Sequence, residues 1–326
     1  MGQGDEVKTR PDPKVEILER GEIFFFYRPK IGKEEVHGAD DVQRMYLVIR
    51  PESGERPVEE KQSPDSGKEG KKRSKRVKEG DNRGKDKEKP EGGHGSEQVS
   101  IEKQILLRFI VMGRKSLPDP SRRSRPYWGF VEMVTTEVED IKIALKGEEY
   151  DTATRGHRRS PPARALGEGV YRLLTHQTGR RTHTHLVYKL EFPAEDKNSE
   201  PQEELNVERE GSFIIQIKNP EQPGRSGGFS GLQSKRRAAF PASLQARLGK
   251  LRFSPADPPD FLNYEGCEFL LIPASANIDE ELGLDLKTEA EGEGEAEEED
   301  VAECSDLMKM FGDVASAKPL FSGTWV

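Results

Sequence analysis

Eight short segments of this chain carry the pattern of β-strands, and they constrain the fold more than any other feature. Each alternates apolar and polar residues or forms a short apolar block bounded by glycine or proline. The predicted strands cover residues 22–27, 42–49, 105–112, 128–134, 169–175, 185–192, 212–218 and 268–272. Because few predicted helices lie between them, they predict a mainly β fold, an antiparallel sandwich or open barrel of about eight strands.

Two short helices are predicted beside the strands. The first lies within residues 136–147, where Thr136 and Glu139 have the spacing of a capping box and Gly147 suits a helix end. The second covers residues 242–248, between a proline and a glycine. The chain therefore combines a β-rich body with one or two short helices.

Charge is strongly segregated along the chain. Only 32% of its 326 residues are hydrophobic and 34% are charged, which indicates disordered segments beside the folded body. Residues 61–90 contain 12 Lys or Arg against 6 Asp or Glu, whereas residues 279–303 contain 13 Asp or Glu against one Lys. Removing both segments leaves a body that is close to neutral, which does not favour a strongly basic nucleic-acid-binding domain.

These composition changes predict the domain organisation. We expect one β-rich domain, flanked and interrupted by charged segments that cannot bury enough apolar surface to fold. The predicted parts are a flexible N-terminus at 1–14, the single domain at 15–275 with a disordered charged insertion at 52–100, an acidic disordered linker at 276–303, and a C-terminal docking segment at 304–326.

The sequence argues against a membrane or secreted protein. It has no apolar run of membrane-spanning length, and its first residues lack the layout of a signal peptide. The two cysteines, Cys267 and Cys304, cannot form a disulfide framework. We therefore expect a cytoplasmic or nuclear location without a membrane partner.

The densest basic cluster lies in the charged insertion. It consists of Lys71, Lys72, Arg73, Lys75 and Arg76. The cluster has the composition of a nuclear-localisation or nucleic-acid-binding patch, and it is equally typical of a solvated linker. The sequence leaves these two interpretations open.

Three histidines form the best candidate metal site. Gly179 and Arg180 suit a two-residue hairpin turn, and that register places His176 opposite His183. His183 and His185 are two residues apart and so share a face of the strand. Gathered at one hairpin end, the imidazoles could bind zinc or another transition metal. An exposed hairpin with incidental histidines is the favoured alternative, because no carboxylate lies at a suitable offset.

Two further groups of basic residues are candidate binding sites. Arg155, Arg158, Arg159 and Arg164 surround a Pro- and Gly-containing loop and could bind a phosphate or an acidic segment, although a solvated connection is the favoured interpretation. The six basic residues between 235 and 252 are interleaved with Phe240 and Phe253, a composition that can bind single-stranded nucleic acid. Both phenylalanines flank the second predicted helix, which favours a core role for them.

The C-terminal residues are predicted to dock. Leu307, Met310 and Phe311 have helical spacing, and Gly312 can end that helix. The docking residues of the tail that follows are predicted to be Leu320, Phe321 and Trp325. Large apolar side chains avoid water, so we expect docking onto the body or, less favoured, onto a partner.

Several blocks of the body resemble a plant family of uncharacterised proteins, some of which carry a BTB/POZ-type label. The blocks include residues 22–29, 42–48, 128–131, 162–171 and 257–266, and the resemblance extends over about residues 15–275 and the final Pro-Leu-Phe. It implies a plant or algal source and no known activity. The label would imply a helical, three-stranded dimerisation domain, whereas the strand pattern here predicts a β-rich fold, so no site residue is carried over.

Taken as a whole, the sequence favours a non-enzymatic protein-interaction or scaffold module. No P-loop, nucleophile elbow, metalloprotease helix, Cys-x-x-Cys pair or kinase signature occurs in it. The alternatives are a metal-binding protein or metal-dependent enzyme that uses the three histidines, and nucleic-acid binding through the basic segments. Protein is the expected partner, nucleic acid is less favoured, and the sequence leaves the cofactor and oligomeric state open.

Overall fold

The computed structural model describes residues 4–59, 96–154, 156–194, 199–222, 231–288 and 305–326. The strands are β1 (Glu6–Lys8), β2 (Val15–Pro29), β3 (Val42–Pro51), β4 (Glu55–Glu59), β5 (Ser96–Ser100), β6 (Leu107–Met112), β7 (Tyr127–Thr135), β8 (Glu148–Thr152), β9 (Gly156–Ser160), β10 (Arg164–Thr178), β11 (Arg181–Phe192), β12 (Glu210–Lys218), β13 (Phe253–Pro255), β14 (Glu268–Ser275) and β15 (Leu284–Leu286). The helices are α1 (Val138–Leu145), α2 (Glu200–Glu204), α3 (Ala242–Leu248), α4 (Ile278–Leu282), α5 (Asp306–Phe311) and α6 (Lys318–Ser322). None of the described helices is long and apolar enough to cross a membrane.

Eight strands form a closed antiparallel barrel. Their order is β11-β10-β2-β3-β6-β7-β14-β12, and β12 pairs with β11 to close it. Each of the eight strands overlaps one of the eight predicted segments, and only the segment 105–112 extends beyond its strand, by two residues before β6, so the predicted mainly β fold is confirmed. The closing pair runs from His185 opposite Ile214 to Lys189 opposite Glu210. The barrel is therefore closed rather than open, and β13 adds to β12 outside it.

Alternation along β2 shows how the chain supplies two apolar surfaces. Ile23, Phe25 and Tyr27 belong to a cluster that includes side chains from strands across the barrel, which places them in the interior. Phe24 and Phe26 belong to a second cluster with residues of α1, α5 and α6, so they face outward beneath those helices. Successive strand residues point to opposite faces, and both faces of this strand are buried.

A buried ion pair lies inside the barrel. Arg108 and Glu19 are 0% and 3% exposed, and the guanidinium donates to both carboxylate oxygens at 2.6 and 2.9 Å. Tyr171 Oη donates to Glu19 at 2.8 Å, and Arg108 Nε donates to Asn263 at 2.7 Å. Burial alone would raise the pKa of Glu19, but the charge and hydrogen bonds of Arg108 lower it. The partners offset the desolvation that burying both charges costs.

The structure differs from the prediction in the segments expected to be disordered. β1 pairs with β15, α4 packs on the barrel, and β4 pairs with β5, so parts of 1–14, 52–100 and 276–303 are ordered. These short elements have too few residues to show a hydrophobic period, and they are stabilised by packing on the barrel. Val58 and Val99, for example, are both buried in the interior cluster. The remainder of the predicted insertion and linker lies outside the described residues.

The first two predicted helices form, but the first begins differently from the prediction. In α1 the residue before the helix is Glu137, and its backbone N–H donates to Thr135 Oγ1 at 3.0 Å. Thr135 Oγ1 in turn donates to Asp140 at 2.7 Å. The capping box predicted from Thr136 is therefore wrong, because the last residue of β7 supplies the hydroxyl instead. The helix predicted over 242–248 has the bounds of α3.

Candidate functional site

The α3–β13 loop, residues 249–252, is fixed by one buried side chain. Asn219 is fully buried, and its Nδ2 donates to the carbonyl oxygens of Gly249 and Leu251, each at 3.1 Å. The backbone N–H of Asn219 donates to the carbonyl oxygen of Arg252 at 2.9 Å. Three of the four loop residues are thus hydrogen-bonded to one position at the end of β12. A loop fixed in this way loses little conformational entropy when it binds a partner.

The local sequence explains how the loop reaches this position. Leu244 and Leu248 are buried beneath α3, which fixes the end of the helix against the body. Gly249 follows with φ of 52° and ψ of −132°, a conformation that suits glycine because it has no Cβ. Gln245 Nε2 donates to Asn219 Oδ1 at 3.0 Å, so helix and loop are held by the same asparagine.

The loop presents one apolar and several cationic side chains to solvent. Leu251 is 62% exposed, and Arg247 and Lys250 are exposed beside it in the sequence. The Arg252 guanidinium lies over the Phe253 ring at 5.3 Å from its centroid. No acidic residue occurs between positions 235 and 256 of the sequence. We refer to Arg247, Lys250, Leu251 and Arg252 as the basic loop surface.

The first three cations of the predicted 235–252 cluster, at positions 235–237, do not belong to the basic loop surface. Arg236 pairs with Glu132 at 2.5 Å, and Arg237 Nε donates to the Leu232 carbonyl at 3.0 Å. Lys235 is exposed. Two of these three cations therefore contact neighbouring segments of the body.

The two phenylalanines of the same cluster were expected to have a core role, and both are at least partly buried. The Phe240 ring lies 5.2 Å from that of Phe261 and 5.5 Å from that of Tyr264, and it packs against the interior cluster. Phe253 is partly buried and has Arg252 over its ring. Phe240 is therefore a core residue and not an exposed base-stacking platform.

The three predicted histidines lie together on the β10–β11 hairpin. His176 pairs directly with His183 in the strand register, as the turn at Gly179 predicted. The rings of His176 and His185 are 5.5 Å apart at an interplanar angle of 63°. In the described part of the chain, no group of three or more His, Cys, Asp or Glu side chains is already arranged as a metal centre. The metal site stays a prediction.

His185 is buried and electrostatically perturbed. It is 2% exposed, and its Nδ1 lies 3.0 Å from Ser212 Oγ and 3.8 Å from a carboxylate oxygen of Glu281 in α4. Burial, followed by the neighbouring His176 and His183, lowers the pKa of His185 to about 3. Burial also lowers the pKa of His176. Both imidazoles are therefore neutral near pH 7.

The arginines predicted to bind an anion lie on two elements. Arg158 and Arg159 belong to β9, where Arg159 is 3.7 Å from Glu149 of β8. Arg164 begins β10, is 8% exposed, and donates to the backbone carbonyl of Glu34. Arg155 lies outside the described residues. The anion-binding hypothesis thus stays a prediction.

In the C-terminal segment, residues 305–326, α5 and α6 pack on the outer barrel face, whereas Trp325 packs against the interior cluster. Phe311 is fully buried, with ring centroids 6.0 Å from Phe24 and 5.7 Å from Phe26. Leu320 is fully buried in the same outer cluster. The other two predicted docking residues, Phe321 and Trp325, contact the rings of Phe192 at 6.1 Å and Tyr27 at 5.4 Å.

A buried carboxylate anchors the start of this segment. Glu168 of β10 is 4% exposed and accepts hydrogen bonds from Ser305 Oγ, from the Asp306 N–H at 2.8 Å and from the Leu307 N–H at 3.2 Å. Burial raises the pKa of Glu168 to about 8, although these donors favour its charged form. The sequence analysis missed this role, since a glutamate between two glycines carries no signal of it.

The densest basic cluster, Lys71 to Arg76, lies outside the described residues. The described residues on either side of it end at Glu59 and begin again at Ser96, and these two residues are paired between β4 and β5. Both ends of the basic segment are therefore fixed at one place on the barrel.

Comparisons with known proteins identify no relative. No protein-family model matches the chain. No curated protein matches it, and no solved structure does either.

Proposed function

We propose that the chain is a non-enzymatic protein-interaction module whose basic loop surface binds an acidic segment of a partner protein. The observation that carries the proposal is the exposed Leu251 on a loop fixed by the buried Asn219. Because the loop is held in one conformation and carries cationic side chains, Leu251 is placed to act as an apolar anchor within a surface that attracts an acidic partner. The packed barrel interior supports a scaffold role, since its axis is filled by core side chains.

The chemistry of the surface defines the partner. Arg247, Lys250 and Arg252 favour a negatively charged ligand, and Leu251 favours one that carries an apolar side chain. An acidic peptide with an embedded aliphatic residue meets both requirements. Single-stranded nucleic acid is less well matched, because it needs aromatic platforms and Phe240 is packed against the core.

Fluorescence anisotropy tests the proposal with a defined probe. The probe is a labelled peptide of about 16 residues, rich in Glu and Asp with one central leucine, and it is titrated with the full chain at two salt concentrations. Burying a leucine contributes about 1.5–3 kcal/mol, so Leu251→Ser should weaken binding by about tenfold or more. Lys250→Glu should also weaken peptide binding, and the loss of affinity should be larger at low salt than at high salt.

The matched controls lie on α1 and at the residue that follows it. Ile143 is 62% exposed, like Leu251, and Lys146 is exposed on the same segment. Ile143→Ser and Lys146→Glu should leave the affinity for the peptide unchanged. The proposal would be contradicted if the control variants lost as much peptide affinity as Leu251→Ser and Lys250→Glu. Tight binding of an oligothymidine without binding of the peptide would also contradict it.

A further inference from the structure

The outward face of the β10–β11 hairpin gathers imidazoles at the separation that one metal ion requires. Two imidazoles bound to a tetrahedral metal at about 2.0–2.1 Å have their ring centroids about 5 Å apart. The observed separation of the His176 and His185 rings is 5.5 Å. His183 lies directly across from His176 in the register, on the same face as His185.

The groups behind His185 fix its orientation. Ser212 Oγ lies 3.0 Å from Nδ1, and Oε1 of Glu281 lies 3.8 Å from the same nitrogen. A hydrogen on Nδ1, donated to Ser212 Oγ, would leave the lone pair of His185 on Nε2, free to bind a metal. A ligand imidazole in a metal site is oriented by this kind of hydrogen bond to a hydroxyl or carboxylate behind it.

A buried carboxylate oxygen completes this arrangement. Oε2 of Glu281 is buried and has no hydrogen-bond partner among the described residues. Glu281 belongs to α4, which packs on the barrel beside the hairpin. The histidines, Ser212 and Glu281 therefore come from three separate parts of the chain that the barrel fold brings together.

We propose that His176, His183 and His185 bind one zinc-class transition-metal ion, with Ser212 and Glu281 as positioning residues. Imidazole nitrogens favour zinc, copper and nickel over magnesium and calcium. The described residues contain no preassembled group of three ligands, so the proposal requires the partly exposed His183 side chain to turn toward the other two rings when the metal binds. Water occupies the remaining coordination position, as in zinc sites with three protein ligands.

The test is titration of the metal-free full chain with Zn²⁺ alone, followed by elemental analysis after dialysis. We expect about one zinc per chain, and a tetrahedral absorption spectrum when Co²⁺ replaces zinc. His176→Ala and His183→Ala should each weaken binding by at least about tenfold, as should Ser212→Ala through the lost orientation of His185. Both histidines are partly exposed, so these variants retain the fold, which circular dichroism verifies.

The control variant is His37→Ala, which removes an exposed histidine on another loop. It should bind zinc with unchanged affinity. The proposal is overturned if the wild-type chain retains no zinc, which would mean that the rings pack edge to face as ordinary aromatic groups. It is equally overturned if His37→Ala loses as much affinity as His176→Ala and His183→Ala.

Discussion

Replacing Asn219 by alanine should release the basic loop surface. The side chain donates to Gly249 and Leu251 and accepts from Gln245 Nε2 and the Glu221 N–H, four bonds of 3.0–3.1 Å. At about 0.5–1.5 kcal/mol each, they sum to about 2–6 kcal/mol. Part of the loop regains water when the bonds are lost, so we expect a decrease in unfolding free energy of about 2–3 kcal/mol and in Tm of about 4–12 °C.

Hydrogen exchange measures the release of the loop in Asn219→Ala, and calorimetry measures the loss of stability. Amide protection at residues 249–252 should fall to that of an open loop, and the affinity for the acidic peptide should fall with it. Asn263→Ala is the matched control, since it removes another fully buried asparagine, whose side chain is hydrogen-bonded to Arg108 and to the Pro57 carbonyl and not to the α3–β13 loop. It should lower Tm without changing protection of the loop. Unchanged loop protection in Asn219→Ala, with a loss below about 0.5 kcal/mol, would refute the reasoning.

Three further predictions concern the barrel and its C-terminal segment. Because the pKa of Glu168 is about 8 in the folded chain, this carboxyl takes up a proton on folding, and the free energy of unfolding in urea should fall as pH rises from about 5 to 8. Glu168→Gln should flatten this pH dependence, and an unchanged slope in that variant would contradict the prediction. Phe311→Ala should lower the free energy of unfolding by up to about 3–5 kcal/mol through lost packing. Residues 305–326 should then be cut by limited proteolysis while the barrel still unfolds cooperatively, and protease resistance equal to wild type would contradict docking through this ring. Arg108→Met should cost about 3–5 kcal/mol, because it removes the cation that donates to both carboxylate oxygens of buried Glu19 and leaves only Arg56, at 3.4 Å, as an ionic partner. The double variant with Glu19→Leu should recover most of the loss, and equal stability of single and double variants by chemical denaturation would refute the pairing argument.

The barrel strands could be predicted because their pattern is local. Residues that alternate between two buried faces form continuous aromatic and aliphatic runs, such as the five positions Ile23 to Tyr27 of β2. Closure of the barrel could not be predicted, because it depends on pairing between β11 and β12 across the connection that contains α2. No residue pattern within either strand specifies that partner.

Short elements were missed for a different reason. β1 and β15 have three residues each and pair only with one another, so they carry no period. The same limit applies to the ends of the charged insertion, where Val58 and Val99 are single apolar residues among polar ones. Their order comes from packing on the barrel, which a local pattern does not show.

The candidate sites were predicted to different degrees. The register of His176 and His183 followed from the Gly179-Arg180 turn, because a two-residue loop fixes the pairing of its flanking residues. Asn219 gave no usable signal, since Asn followed by Pro indicates only a turn. Its hydrogen bonds reach residues about thirty positions further along the chain, a distance that tertiary structure alone determines.

The most direct test of the interaction surface is nuclear magnetic resonance of the ¹⁵N-labelled chain during titration with the acidic, leucine-containing peptide. The account predicts shift changes concentrated at residues 247–253 and at Asn219 behind them, and their loss in Leu251→Ser. Shift changes centred on the β10–β11 hairpin or on the C-terminal segment, or no changes at a peptide concentration that saturates the anisotropy signal, would contradict it.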